Sequence, residues 1–463
     1  MNRQDRRKAG KLKPRFGADG LLQRATDAHK AGQHEEAAAL YRRVLDATPG
    51  DATARHWYGL LLKESGDPDG AARELTEVRR AMPHDVAVAL NLGSIHFDLG
   101  HYAKAQPLFE QALGVRPDLA VAWQNLGMAL AFSGQFDRAE APLREALRLN
   151  PGQTDAQIVL AQLHLVRGAY EQGWALHDGR LFGRSVLFES VRHLGLPNWR
   201  GEPLQGRRLL VYDEQGIGDA IQFARYLPLV AEAGGPVLFA VRPVLIKLLA
   251  GLAAVELVSL DETLPSFDLH CPLMSLPRFY GPNSGMAPPA APYLKADEAL
   301  VRQWHGRLGP GRKVGLCWSG SPTHTRDHER SLRLEKLRPL LDLPGIRWFA
   351  MQKELKPADQ ELQDKLQGKL MPLGEALKDW TDTAAALSAL DLLITVDTSV
   401  AHLAGALGRP TWLMLSAVPD WRWLLDRNDT PWYPSMRLFR QTSPGEWQGV
   451  LANVSAALAE AWI

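Results

Sequence analysis

Two patterns of apolar and polar positions divide the chain. Up to about residue 183 the pattern is periodic: prolines stand at 49, 83, 117 and 151, and glycines at 32, 66, 100, 134 and 168. A second glycine series, Gly59, Gly93 and Gly127, keeps the same 34-residue spacing, as do Ala37, Ala71, Ala105 and Ala139. Series that share one period imply a repeated pair of helices, each unit burying its apolar face only against its neighbours. In the unit "AWQNLGMALAFSGQFDRAEAPLREALRLNP" the small residues let helix A and helix B approach closely. Gly134 then ends helix A and Pro151 stops helix B. Four full repeats run from about residue 18 to 151, and a degenerate fifth, "TDAQIVLAQLHLVRGAYEQGWALHDGRLF", closes the array near 183.

Past the Gly/Pro-rich interval 184–206 the period disappears and short apolar runs alternate with helical stretches. "RRLLVY", "PVLFAV" and "VELVSL" read as strands, with helices at "DAIQFARYLPLVAEAG" and "VLIKLLAGL" between them. After the proline-rich hinge "GMAPPAAPYLKAD" the strands resume as "KVGLCWSG", "IRWFAMQ", "LLITV" and "TWLML". Such alternation predicts parallel sheets with right-handed crossovers. The expected organisation is thus a basic tail (1–17), a solenoid (18–183), a linker (184–206) and two α/β halves, 207–292 and 293–463. Halves joined by a hinge bind ligands in the cleft at the carboxyl ends of their strands.

Three stretches at predicted strand ends carry candidate chemistry. In "LLITVDTSVAHLAGALGRPTWLML" an apolar run stops at Asp397 and a helix starts at once. At ~100° per residue, Val400, Leu403, Ala404 and Leu407 form one stripe, and Thr398 and His402 fall together on the opposite face. A helix N-terminus offers unpaired N–H groups and partial positive charge, so Asp397, Thr398, Ser399 and His402 suit an anion, most simply a diphosphate. The plainer alternative is an ordinary N-cap followed by a solvated histidine. In "LLVYDEQGIGDAIQFARYLP", Gly216 and Gly218 permit a tight turn and Asp219 opens a helix, either as its N-cap or as a carboxylate facing the cleft. Ile221 rules out a dinucleotide fingerprint, and no Lys-Ser/Thr pair follows for a P-loop. In "CWSGSPTHTRDHERSL", Ser319, Ser321, Thr323, Arg326 and Arg330 suit phosphate or sugar oxygens. His324, Asp327 and His328 in the same loop lack a further ligand, so no metal is expected. Lys353, in "MQKE" after the next strand, is a phosphate or ribose contact or a surface lysine.

Composition narrows the reading. The chain has 463 residues, with 53 Lys plus Arg against 52 Asp plus Glu, so no global field favours nucleic acid or an anionic membrane. The first fifteen residues, "MNRQDRRKAGKLKPR", carry seven basic residues without an apolar stretch after them, as a solvated tail would. No apolar run approaches the ~20 residues of a membrane span. Two cysteines, Cys271 and Cys317, give no disulfide framework and read as small buried apolar residues, which suits a cytoplasmic location. On the solenoid, Asn91 and Asn125 stand one repeat apart on the A helices, where their amides face the groove and can pair with an extended guest peptide. Gln23, Trp57 and Val159 occupy that position in the other copies.

The repeats resemble tetratricopeptide repeats, with Trp123, Gly127, Gly134, Ala139, Ala146 and Pro151 on the family's positions. "VDTSVAHLAGALGRPTW" and "GIGDAIQFARYLP" resemble motifs of heptosyltransferase-type glycosyltransferases of the GT-B fold. Repeats followed by such a region resemble the architecture of the O-linked N-acetylglucosamine transferases. The whole is most similar to bacterial tetratricopeptide proteins with a heptosyltransferase-like C-terminal region. The resemblance implies an α-solenoid followed by a GT-B-like pair of Rossmann-like domains. It also implies an inverting, metal-independent transfer of a sugar from a nucleotide-diphosphate donor to a hydroxyl acceptor, here a protein recruited by the groove. Asp219 would be the general base; Gly216, Gly218, Ser319, Arg330, Lys353, Asp397, Thr398, Ser399 and His402 would hold the donor, with no cofactor. Ser399 departs from the glycine usual in that motif. The competing expectation is a non-catalytic scaffold whose α/β half is degenerate.

Overall fold

The computed structural model describes residues 18–182, 195–252, 254–280, 291–366 and 368–462. The basic tail 1–17, most of the first half of the 184–206 linker and the start of the proline-rich hinge lie outside them. The chain forms two compact units, Met1–Val159 and Leu160–Ile463, and the division falls inside the helix Thr154–Val166.

The first unit is a tetratricopeptide solenoid. A helices at Ala18–Lys30, Ala52–Glu64, Val86–Asp98 and Ala120–Phe132 alternate with B helices at His34–Ala47, Pro68–Ala81, Tyr102–Val115 and Phe136–Leu149. Each glycine series has its own job. Gly32, Gly66, Gly100 and Gly134 follow the A helices with φ of 73°, 83°, 73° and 79°, the left-handed conformation that terminates a helix without strain only at glycine. Gly93 and Gly127 sit where helix A meets helix B. A Cβ there would lie 2.6 Å from Phe109 Cε1 and 2.6 Å from Leu143 Cγ, and at Gly59 it would strike Leu75. Ala37, Ala71, Ala105 and Ala139 are fully buried on the B helices. Asp51, Asp67 and Asp85 cap the helices that follow them, each accepting the backbone N–H three residues on.

The second unit contains two all-parallel sheets. Strands β1 (Leu209–Tyr212), β2 (Val237–Val241), β3 (Glu256–Ser259) and β4 (Leu269–Pro272) are ordered β3-β2-β1-β4. Strands β5 (Arg312–Cys317), β6 (Ile346–Ala350), β7 (Leu370–Pro372), β8 (Leu392–Val396), β9 (Thr411–Leu415) and β10 (Met436–Arg440) are ordered β10-β9-β8-β5-β6-β7. The seven runs read as strands all form strands; β4, β7 and β10 are additional. β4 ends on a proline, β7 has three residues, and β10 carries two arginines, so none has the apolar run of its neighbours. Every residue of β1, β2, β4 and β8 is buried, as expected when both faces of a parallel sheet are covered. In each sheet the first strand is internal, so the chain winds outward on both sides and leaves a switch point, between β1 and β4 and between β5 and β8.

The short helix Tyr170–His177 and the turn Asp178–Phe182, read from sequence as the end of the repeat array, pack into this second unit. Trp174 is buried and meets Trp421 edge-on, ring centroids 5.2 Å apart, and Phe223 at 6.2 Å. The buried Arg180 donates to Glu214 at 2.7 and 3.0 Å, to Asp178 at 2.9 Å and to Ser275 at 3.0 Å. Glu214 in turn accepts the Met274 N–H at 3.1 Å. Both cysteines are free and buried.

Candidate functional site

The site lies where the loop after β1 meets the loops after β5 and β8, at the two switch points. After β8 the helix Ser399–Ala406 begins with Thr398 as its N-cap residue, in extended conformation. Leu403 and Ala404 are buried, and Val400 and Leu407 are partly so. The opposite face is not open to solvent as a free helix surface would be: Thr398 and His402 are only 8% and 5% exposed. The imidazole of His402 stacks on Trp423, centroids 5.5 Å apart with 22° between planes, and its Nδ1 is hydrogen-bonded to the Tyr433 hydroxyl at 3.0 Å. Gly405 faces the Tyr433 ring with no room for a Cβ. The solvated-histidine alternative is thereby corrected. The tryptophan and tyrosine that enclose the ring come from the segment after β9, and no local pattern in the sequence pairs them with this helix.

The loop after β1 reaches the same place. The helix Ile217–Phe223 has Gly216 as N-cap, and Asp219 is its third residue rather than its first. Asp219 Oδ2 accepts the Gly216 N–H at 2.8 Å, which closes the turn, and its Oδ1 is paired with Arg422. This helix packs on Ser399–Ala406. A Cβ on Gly218 would fall 2.8 Å from His402 Cδ2 and 3.5 Å from Ser399 Cα, so glycine is what permits the approach. Gln215 and Gly216 remain exposed at the rim.

The loop after β5 contributes Ser319 and Arg330. Ser319 is buried, and its N–H donates to Gln352 Oε1 at 3.1 Å, which also accepts from the Trp318 N–H. Arg330 bridges the switch point: its Nη1 donates to the Asp397 carbonyl at 3.0 Å and its Nε to Asp327 Oδ1 at 3.3 Å. Ser321, Thr323 and His324 are exposed. Lys353 is exposed as well, and among the described residues no contact joins it to this cluster. No group of three His, Cys, Asp or Glu side chains that could hold a metal occurs among the described residues.

Arg422 was not singled out by sequence, yet it is the centre of the cluster. Its Nη2 meets Asp219 Oδ1, its Nη1 lies 2.9 Å from Asp420 Oδ1, and its Nε donates to Gln222 Oε1 at 2.5 Å. Trp421 and Phe223 flank the guanidinium at 4.4 and 5.6 Å. The electrostatics follow from burial and these charges. Burial, helped by Arg422, pushes His402 down to about 3, so the imidazole is neutral although Asp397 Oδ1 lies 3.9 Å from its Nε2. Burial and the Asp420 charge push Asp397 up to about 6. Burial alone would raise Asp420 too, but Arg422 beside it holds the carboxyl below its ordinary value. A second arginine, Arg225, is boxed by Tyr293 at 4.6 Å and Tyr433 at 4.7 Å and donates to the Trp432 carbonyl at 2.9 Å.

The structure therefore brings Gly216, Gly218, Asp219, Ser319, Arg330, Asp397, Thr398, Ser399 and His402 to one region and leaves Lys353 at the surface. On the solenoid, Asn91 Nδ2 is hydrogen-bonded to His56 Nε2 at 2.9 Å, so that amide already has an internal partner; Asn125 is partly buried.

The repeats are tetratricopeptide repeats: models of that repeat match residues 28–92 and 85–151. Protein FlbA of Caulobacter vibrioides is 27% identical over 467 residues, covering 94% of this chain and 77% of its own length. That likeness therefore extends well past the repeats. The TPR repeat-containing thioredoxin TTL4 of Arabidopsis thaliana is 28% identical over 119 residues, 26% of this chain and 17% of that protein. Among solved structures, MamA covers 37% of this chain and 96% of its own, with 18% identity and a TM-score of 0.33. Among the described residues no helix is long and apolar enough to cross a membrane.

Proposed function

We propose that the α/β region is a GT-B-like, inverting and metal-independent glycosyltransferase that uses a nucleotide-diphosphate sugar, and that the solenoid recruits the protein that accepts the sugar. The observation that carries the reading is the meeting of two motifs nearly two hundred residues apart, Gly216–Asp219 and Asp397–His402, at the carboxyl ends of strands from separate parallel sheets. That is where open α/β folds hold ligands. In this reading the first turn of Ser399–Ala406, with Thr398, Ser399 and Arg330, stabilises the diphosphate. Asp219 takes the proton of the acceptor hydroxyl. The acceptor oxygen bonds to the anomeric carbon as the bond to the diphosphate breaks, and the electron pair leaves with the diphosphate. Neutral His402 packs the base of the site and adds no charge.

Equilibrium dialysis of the full chain against UDP-, GDP- and ADP-sugars tests the donor site. Retention of one of them, reduced at least tenfold by Thr398→Val with Ser399→Ala, supports the reading. Retention of none by a folded chain favours the second one, a scaffold with a non-catalytic α/β region. That alternative has its own support: the helices Ile217–Phe223 and Ser399–Ala406 touch, and both Asp219 oxygens are engaged.

A further inference from the structure

We propose that Arg422 gates the site: a bound diphosphate takes the guanidinium from Asp219, and only then is that carboxylate free to act as a base. The inference rests on the donor reading above and adds to it the residue through which donor binding and base release are coupled.

Arg422 has an 8% exposed side chain held by three partners, Asp219, Asp420 and Gln222. A guanidinium offers five N–H donors in a planar fork that fits a carboxylate or a phosphate equally well. Three of the five have these partners, and a diphosphate that engages the fork through Nη2 competes with Asp219 there. Asp219 also accepts the Gly216 N–H through its other oxygen, so losing Arg422 leaves it oriented with one oxygen free. Asp420 remains on Nη1 and keeps the arginine in place.

One further feature points to an anion at this spot. Gln222 is fully buried; its Oε1 accepts from Arg422, while its Nε2 has no hydrogen-bond partner, a buried donor beside the guanidinium. The loop that presents Arg422 is also strained: Leu424, two residues on, has φ 55° and ψ −171°, a conformation that essentially only glycine adopts freely. Such strain persists where surrounding contacts over-determine it, here the packing of Trp421 and Trp423. The other charge that reaches the fork is Asp397. With Asp219 and Asp420 it makes three carboxylates that more than offset the guanidinium charge when no anion is bound.

The test is calorimetric titration of the full chain with inorganic pyrophosphate at fixed ionic strength. Wild type, Asp219→Asn, Arg422→Gln and the double variant are compared, with folding checked by circular dichroism. Competition predicts that Asp219→Asn binds at least threefold more tightly than wild type, because the competitor is removed while the Gly216 cap is retained. Arg422→Gln should bind at least tenfold more weakly, and the double variant should lose the gain. Unchanged or weaker binding by Asp219→Asn overturns the gate. So does a gain that survives in the double variant, which would trace it to relief of charge repulsion. Should Arg422→Gln not fold, Arg422→Lys, which keeps charge but loses the fork, takes its place. No pyrophosphate binding by folded wild type overturns the donor reading itself, a separate result.

Discussion

The two units are held together in opposite ways. In the solenoid the contacts are local and repeated: a glycine on helix A admits a leucine or phenylalanine sixteen residues on, and the arrangement recurs every 34. In the α/β region the contacts that define the site join residues some two hundred positions apart. Arg422 reaches Asp219 and Gln222 across 203 and 200 residues, and Arg225 reaches Trp432 across 207. Local repetition is tolerant, because damage in one repeat is felt mainly by its neighbours. Long-range convergence is specific, because each loop is positioned by elements it does not adjoin.

The sharpest way to break the comparison is to damage the α/β core from its edge. Arg180→Ala strips the buried guanidinium from Glu214 and Asp178, and Trp174→Ala opens a cavity against Trp421 and Phe223. Each should destabilise the second unit by ~3–5 kcal/mol. Two-probe chemical denaturation should show the tryptophan-rich transition moving while helical signal from the repeats persists. A shift below ~1 kcal/mol would mean that Tyr170–Phe182 is only loosely attached. In the solenoid, Gly127→Val drives a branched side chain onto Leu143 and should cost ~1–3 kcal/mol. Hydrogen exchange should confine that loss to the helices Ala120–Phe132 and Phe136–Leu149 and their immediate neighbours.

Titration sharpens the contrast further. Asp397 has a folded value of about 6, raised above the ordinary carboxylate value, so its contribution is present at low pH and is lost as pH rises through about 6. His402, depressed to about 3, contributes stability above the ordinary histidine value and loses it as pH falls through the interval below. The two slopes oppose each other between about pH 4 and 6. Relative to wild type, Asp397→Asn should therefore shift the slope of the denaturation midpoint against pH upward over that interval, and His402→Gln should shift it downward. Matching slopes in the two variants would refute the burial argument. Smallest of all, Glu140→Gln, which breaks the exposed pair with Arg144, should change stability by less than ~0.5 kcal/mol.

What the sequence made legible follows the same divide. The repeat period, the helix-ending glycines and the seven strands with long apolar runs are encoded locally, and each appears where expected. The two cleft motifs were also legible, because a strand end followed at once by small and polar residues is a local signal. Three things were not. Asp219 was displaced from the helix start because Gly216 can take the N-cap position. His402 was not on an open face because Trp423 and Tyr433 close over it; the tryptophans of 420–434 suggest an aromatic wall, but not which side chain it meets. Arg422 gave no sign at all: in "PDWRWLLDRNDTPWYP" it is one arginine of two, and only the fold shows which of them meets Asp219. β4, β7 and β10 escaped for a related reason, since pairing with a neighbouring strand, rather than their own composition, makes them strands.

The most direct test of the central claim is hydrogen–deuterium exchange of the full chain with and without the nucleotide sugar that dialysis selects. The account predicts slowed exchange in three separated segments together, 213–226, 397–406 and 420–424, with the repeats 28–151 unaffected. Protection that leaves all three segments unchanged, or that appears only within the repeats, would contradict a donor site at the junction of the two sheets.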